Sequence, residues 1–200
     1  MQQRLDALRK KFRTLGVSNF IITRFENFAQ GSLRYLCGYT GSNGVLLVTN
    51  QDAYFITDGR YISQAKEQEK GAKVFIYSGG KSISDGFTRE LKENKAIRFR
   101  GRIGFEARGT SAEFYRAMQT KFPNSELVET TDVIEKIAEI RNDDEIQLIQ
   151  KAVDITDRVF KEVLGLIKPG QKEQELSADI TYRHIMYGAE KNSFDPIVAS

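Results

Sequence analysis

Histidine and cysteine are almost missing from this chain: one of each stands in 200 residues. A single cysteine, Cys37, excludes an intrachain disulfide and suits a reducing, cytoplasmic setting. That thiol is expected to be buried as a small hydrophobe. One histidine, His184, excludes a zinc site of the His-His-Glu kind, and with one cysteine a structural zinc site is excluded too. A Ser/His/Asp or Cys37/His184 arrangement stays formally open, yet His184 follows Tyr182 and Arg183 on a helical stretch with no nucleophile motif beside it. A carboxylate-only magnesium site also stays open, since 27 acids are present. None of them shows a spaced cluster on strands that would argue for one.

Charge of one sign is lacking as well. Thirty basic against 27 acidic residues leave a formal charge of +3, which demands neither nucleic acid nor a membrane as partner. The first ten residues carry charges where a signal peptide needs an apolar run. No stretch approaches the roughly 20 apolar residues that span a bilayer. What is present is ordinary for a soluble globular protein, 40% hydrophobic and 28% charged residues, in a length that suits one or two domains.

Leu5, Leu8, Phe12 and Leu15 recur at helical spacing, with Gly16 placed to end the helix. Val17 to Thr23 reads as a strand, Ser32 to Cys37 as a short helix stopped by Gly38, and Gly44 to Thr49 as a buried strand. Asn50-Gln51-Asp52 turns the chain into a second strand over 53–57. Tyr61 to Lys70 looks helical and Lys73 to Tyr77 extended. Ile83, Phe87 and Leu91 mark a helix, Arg102 to Phe105 a strand, Ser111 to Phe122 a helix, and Glu126 to Val128 a short strand. This alternation, with a hairpin in it, predicts an α/β domain with a mixed sheet.

After about Thr131 the pattern changes to helices. Val133, Ile134, Ile137 and Ile140 lead into Arg141-Asn142-Asp143-Asp144-Glu145, where acids suit a helix start and Asn142 or Asp143 can cap. A long helix runs to about Ile167, a second from Lys172 to Tyr187, and the chain finishes on a segment over 193–200 that reads as a strand. On the long helix, Ile146, Ile149, Val153, Phe160, Val163 and Ile167 form one apolar stripe. Leu148, Ala152, Ile155, Val159 and Leu166 form another, so together they exceed the ~100° arc of a surface helix.

Three motifs have ordinary readings. Gly80-Lys81-Ser82 lacks the upstream glycine of a phosphate loop, since Phe75 stands there, and Ser82 suits a helix cap. Gly38, Gly41 and Gly44 do not match the dinucleotide fingerprint and suit tight turns at a sheet edge. Arg98, Arg100 and Arg102 alternate, so on a strand they share one face. Such a strip could contact phosphate, although a solvated edge strand is the commoner case.

Specific strings go further. Tyr35-Leu36-Cys37-Gly38-Tyr39-Thr40-Gly41-Ser42-Asn43-Gly44 with Val45 to Thr49, and Phe55-Ile56-Thr57-Asp58-Gly59-Arg60-Tyr61 with Gln64-Ala65, resemble the N-terminal domain signature of the Xaa-Pro aminopeptidase (aminopeptidase P), prolidase and creatinase family. Ile140 to Ile146 is similar to that family's "R-x-x-K-x-x-x-E-I" linker, although Asn142 or Asp143 replaces the usual lysine. Lys168-Pro169-Gly170 with Glu173, Glu175 and Leu176 resembles the opening of the next helix. Gly188-Ala189-Glu190 and Ser193-Phe194-Asp195-Pro196-Ile197-Val198-Ala199-Ser200 resemble the strand before the metal site.

The resemblance implies a creatinase-like N-terminal domain over 1–131, a linker over 132–142, and over 143–200 the truncated start of an α+β pita-bread metallopeptidase domain. In that family two divalent metal ions (manganese, cobalt or zinc), held by two Asp, one His and two Glu, activate a bridging water and polarise the scissile carbonyl of a peptide with proline second. All five ligands follow the Ile197-Val198-Ala199-Ser200 string, so no position here inherits a metal or catalytic role. This chain is therefore expected to be catalytically silent by itself. Phe194 matches a position lining the pocket for the substrate's first side chain, or is simply core. Asp58, Arg60 and Tyr61 match the strongest motif. A structural anchor at a strand-to-helix corner is the favoured role, and a place near a neighbouring subunit's active site the other. A homo-oligomer, a dimer or larger, is implied. The alternative from another class is a non-catalytic creatinase-like interaction module. The two are separated by whether the reading frame continues past Ser200 into two aspartates, a histidine and two glutamates.

Overall fold

Strands that are apolar on both faces organise the first of two compact units, Met1–Ile140, in a computed structural model that describes residues 1–26 and 31–199. The strands are β1 (Asn19–Arg24), β2 (Gly44–Thr49), β3 (Ala53–Asp58), β4 (Lys73–Tyr77), β5 (Ile103–Glu106) and β6 (Leu127–Thr130). They form one mixed sheet in the order β4-β3-β2-β1-β5-β6. β2 pairs antiparallel with β1 and β3, with Ile21 opposite Leu47 and Leu46 opposite Phe55, whereas every other pair is parallel. β2 alone therefore runs against the other five strands.

Side chains alternate across a strand, so each strand feeds two cores. Phe20, Ile22, Leu46, Val48 and Phe55 point to one face. There they meet Leu5, Leu8 and Phe12 of α1 (Gln2–Leu15), Leu33 and Leu36 of α2 (Ser32–Cys37) and Ala65 of α3 (Ile62–Gln68). Ile21, Val45, Leu47, Tyr54, Ile56 and Ile103 point to the other face, against Phe87 and Leu91 of α4 (Ile83–Glu93) and Phe114 and Met118 of α5 (Ala112–Lys121). A Leu- or Phe-sized side chain stabilises by about 1.5–3 kcal/mol when buried, so these two faces carry the unit. Local signals agree. Gly16 ends α1 in the left-handed region at φ 64, and the Ser82 and Ser111 hydroxyls accept the Asp85 and Phe114 N–H groups to start α4 and α5.

Three expectations need correction. The helix expected from Tyr61 starts with a 3-10 turn over Gly59–Tyr61 before α3. The strand at Arg102 begins one residue later, at Ile103, where the ladders to Asn19 and Leu127 start. Residues 193–199 form no strand. A strand exists through its ladder, and no neighbouring backbone pairs with this segment among the described residues.

The segment 132–142, expected as a linker, contains α6 (Val133–Ala138), whose Val133 and Ile134 lie in the first core. Its N-cap, Asp132, sits at φ 57 and offers no capping side chain. Glu106, at the end of β5 and only 5% exposed, faces this helix start: the Ser32 hydroxyl and the Ile134 N–H favour its ionised form, while its Oε1 is buried without a hydrogen-bond partner. Burial pushes the Glu106 carboxyl up to about 7, against those two hydrogen bonds and with help from the neighbouring Glu135 carboxylate. The folded chain thus holds a proton, between about pH 4.5 and 7, that the unfolded chain has released. Stability falls as pH rises through that window and levels off above it. Glu106→Gln keeps an acceptor and removes the charge. The variant should show a flat profile there, and at pH 8 exceed the parent by on the order of 2 kcal/mol in urea unfolding.

The second unit, Arg141–Ser200, is built from α7 (Asp143–Leu164) and α8 (Glu173–Met186). Asn142 and Glu145 form a reciprocal capping box, at 2.9 and 3.0 Å, and Asp143 and Asp144 add negative charge to the first turn. A polar hub joins the helices. The Glu162 carboxylate accepts from Tyr187 Oη at 2.5 Å, from Arg158 Nε at 3.1 Å and from Arg183. Only Val159 and Val163 are buried in α7 and nothing is buried in α8, while Ile146, Leu148, Ile149, Val153, Phe160 and Ile167 stand exposed. Surface ion pairs contribute ~0–1 kcal/mol each, too little to hold a hairpin that leaves so much apolar surface in water. Amides over 146–187 should therefore exchange orders of magnitude faster than those of β1 to β3 in hydrogen-exchange mass spectrometry, unless a second copy covers them. Strong protection in a demonstrated monomer would contradict this.

Candidate functional site

Because β2 is reversed, one edge of the sheet collects the carboxyl ends of β1, β3, β4, β5 and β6 together with the start of β2. In open α/β sheets this is the edge where ligands bind. The two sequence strings over 35–44 and 55–65, separated by the β2–β3 hairpin, meet here, since one leads into β2 and the other leaves β3.

Asp58 ends β3 and is 7% exposed. Its Oδ1 accepts the Arg60 N–H and Arg60 Nε, both at 3.0 Å, and its Oδ2 accepts Arg60 Nη2 at 3.0 Å and Asn43 Nδ2 at 2.7 Å. The 3-10 turn over Gly59–Tyr61 follows from this, because the Asp58 carboxylate caps it. Burial works to raise the Asp58 pKa, but the hydrogen bonds from Arg60 and Asn43 outweigh it and hold the carboxyl below its usual range. Arg60 extends outward to Glu26 Oε1 at 3.2 Å, its guanidinium carbon 5.2 Å from the Tyr61 ring centre. Its own pKa is raised, chiefly by the hydrogen bond to Asp58.

A second layer lies beneath. The Asn43 carbonyl accepts from Thr57 Oγ1 at 2.6 Å and from Tyr39 Oη at 3.1 Å. The Tyr61 and Ser42 hydroxyls are 2.7 Å apart, and the Tyr61 ring meets Tyr39 edge-on. Thr40 is clamped to α3, its N–H on Gln68 Oε1 at 2.9 Å and its hydroxyl accepting from Gln64 at 2.9 Å. This close fit dictates two glycines. A Cβ at Gly41 would stand 2.1 Å from Tyr39 Oη, and one at Gly44 2.7 Å from the Phe55 ring. Burial pushes the Tyr39 phenol up to about 12, so it stays protonated at neutral pH. With Asp58 ionised and fully bonded, the corner holds charge and geometry and has no spare proton to give or take.

Cys37 is buried, and burial raises its thiol to about 12, which leaves no thiolate for nucleophilic work. His184 Nδ1 lies 2.9 Å from the Ile180 carbonyl of its own helix. Phe194, in the second unit, is 73% exposed. Ser82 serves as the cap of α4 and Lys81 is solvated. Among the described residues, no three His, Cys, Asp or Glu side chains converge where they could hold a metal ion. The residues described here do not fit a dinuclear metal cage. Sequence reasoning missed Asn43, Tyr39, Thr57 and Glu26. Asn43 and Tyr39 stand within the recognised string, but only the reversal of β2 brings them against Asp58.

Comparison with known proteins agrees with this architecture. The Creatinase/Prolidase N-terminal domain model matches residues 4–140, and that of metallopeptidase family M24 matches residues 147–200. The uncharacterized peptidase YqhT of Bacillus subtilis (strain 168) is 34% identical over 98% of this chain and 53% of its own length. An Xaa-Pro dipeptidase of Pyrococcus horikoshii is 27% identical over 80% of this chain and 42% of its own length. Among solved structures, an Xaa-Pro dipeptidase from Bacillus anthracis is similar with a TM-score of 0.81 at 30% identity, over 96% of this chain and 51% of that one. The X-Pro aminopeptidase from Thermotoga maritima MSB8 gives 0.77 at 28%, over 93% and 51%. The chain thus spans about half the length of these relatives. The mixed sheet, the corner where the two strings meet and the match through 4–140 agree, and the chain belongs to the family of the creatinase/prolidase N-terminal domain.

Proposed function

We propose that this chain is the N-terminal part of a proline-specific metallopeptidase, an Xaa-Pro aminopeptidase or prolidase, and that it does not hydrolyse peptides by itself. The observation that carries this reading is the order of the two family matches along one chain, an N-terminal domain followed by the opening of a metallopeptidase domain. Relatives named Xaa-Pro dipeptidase and Xaa-Pro aminopeptidase support the substrate class. In the complete enzyme two divalent ions would activate water and polarise the scissile carbonyl. The residues described here supply no ligand set for them, so no catalytic step is assigned to this chain. Phe194 is proposed to line the pocket for the substrate's first side chain once the domain is complete. The protein is proposed to act in the cytoplasm and to self-associate. No helix among the described residues is long and apolar enough to cross a membrane.

Calorimetric titration with manganese and cobalt should give no stoichiometric sub-micromolar binding of two ions, and assay of Xaa-Pro dipeptides and longer peptides with proline second should give no cleavage. Tight binding of two ions would overturn the reading, whereas an extended chain carrying the family's five ligands should gain both properties.

Asp58, Arg60 and Tyr61 are proposed as a structural clasp between the loop before β2 and the β3–α3 corner. The support is that every hydrogen bond of the Asp58 carboxylate is internal. Asp58→Ala leaves the buried Asn43 amide without its acceptor and should destabilise the chain by about 1–3 kcal/mol in urea unfolding. A loss below about 0.5 kcal/mol would favour the other role, at a neighbouring subunit's active site.

A further inference from the structure

The opposite edge of the sheet, where β1, β3 and β4 begin, carries an open groove of about 500 Å³. One wall is the β2–β3 turn and the start of β4, with Asn50, Asp52 and Lys73; the other is the connection from α4 to β5, with Arg98, Phe99 and Arg100. The volume falls within the roughly 300–1,000 Å³ typical of small-molecule sites.

The second wall is fixed without being part of the sheet. Residues 98–100 belong to no strand. Asn19 Nδ2 and Ser18 Oγ bond the Arg100 carbonyl at 2.6 and 2.9 Å, and the Phe99 ring packs on Phe122 at 5.1 Å. In extended backbone, neighbours of an inward residue project the other way. Anchoring Phe99 therefore leaves Arg98 and Arg100 exposed on one side. The third arginine of the alternating strip does not join them, because Arg102 is taken by Glu126 and the Gly16 carbonyl.

Charge is unbalanced across the groove. Lys73 is neutralised by Asp52 at 2.7 Å, and Tyr54 Oη steadies that carboxylate at 3.2 Å. Arg98 makes one long bond, 3.4 Å, to the Lys95 carbonyl. Neither Arg98 nor Arg100 has a carboxylate partner among the described residues. Two guanidinium groups lining one groove without carboxylate partners leave a positive field there, which a concave surface focuses. A doubly charged oxyanion neutralises that field, and guanidinium forks match phosphate oxygens in pairs.

We propose that this groove binds a small molecule bearing a phosphate or diphosphate group, held by Arg98 and Arg100, with the ligand's body lying along Asn50 and the Lys73–Asp52 pair. The site lies at the edge of the sheet opposite the Asp58 corner and is independent of the peptidase reading.

The test is calorimetric titration of the whole chain with inorganic pyrophosphate. The expected result is one site with a Kd below about 1 mM, weakening as salt rises. The double variant Arg98→Gln/Arg100→Gln should bind at least about tenfold more weakly with an unchanged circular dichroism spectrum, since both side chains are exposed and unpaired. If that variant fails to fold, Arg100→Gln alone should still weaken binding by about threefold or more. Lys95→Gln removes a nearby charge that does not line the groove and should stay within about twofold of the parent. Absence of binding, equal affinity in the arginine variants, equal loss in Lys95→Gln, citrate binding as tightly as pyrophosphate, or a much tighter single-stranded oligonucleotide would each overturn the proposal.

Discussion

One strand direction governs the first unit. β2 is buried along its whole length and runs against its two neighbours, while all the others run the opposite way. A strand buried on both faces reads as a near-continuous apolar run, and Val45-Leu46-Leu47-Val48 supplies it, with the polar Thr49 hydrogen-bonded in the turn that follows. Its reversal has a consequence at each edge. At one, the loop entering β2 is brought against the carboxyl end of β3, so Asn43 meets Asp58. At the other, the tight β2–β3 turn, closed by Thr49 and Asp52, forms one wall of the groove beside Arg98 and Arg100.

The Asp58 corner shows how a charge is kept inside such a structure. Isolated, a carboxylate at 7% exposure would take up a proton rather than remain charged. Four donors from two sources, Arg60 and Asn43, reverse that preference and keep it ionised. Glu106, at the same sheet edge, has fewer donors and faces Glu135, and its pKa moves the other way, to about 7. Two acids of similar burial thus end in opposite protonation states at mildly acidic pH. The difference lies in the neighbours. Asp58 has a guanidinium fork within its own turn, whereas Glu106 has only a hydroxyl and one helix-terminal amide.

Most of this fold was legible in the sequence because its signals are local. Six strands were anticipated from runs such as Gly44 to Thr49, and Gly16, Gly38, Ser82 and Ser111 act at the helix ends where their chemistry suggests. What failed depends on distant parts of the chain. The alternation of Arg98, Arg100 and Arg102 has strand period, yet 98–100 is tied down by Ser18 and Asn19, residues about 80 positions away, and makes no ladder. The segment over 193–199 has strand composition and no partner among the described residues. The apolar period of Val133, Ile134 and Ile137 was visible in the segment expected as a linker, but only the fold shows Val133 and Ile134 of α6 joining the first core. At the Asp58 corner the motif residues were visible, but the partners that fix their chemistry were not. No pattern in sequence announces that Asn43 will donate to a carboxylate fifteen residues on.

The second unit inverts the usual division of labour between polar and apolar contacts. In an ordinary helical hairpin apolar side chains face each other and charges face water. Here Glu162, Arg158, Arg183 and Tyr187 occupy the junction of α7 and α8, while Ile146, Ile149, Val153, Phe160 and Ile167 look outward. Helix formation needs no help from that junction, since α7 has its own capping box and acidic first turn. Those local devices make a helix; they do not give it a reason to stay packed. Salt would weaken the hub, leaving little fully buried apolar surface, Val159 and Val163, to compensate. Within α7 the outward apolar positions are 146, 148, 149, 153, 160 and 164 among the described residues. The exposed large apolar positions of α7 thus outnumber its two buried ones, Val159 and Val163, so its local devices make a helix whose apolar surface stays mostly in water.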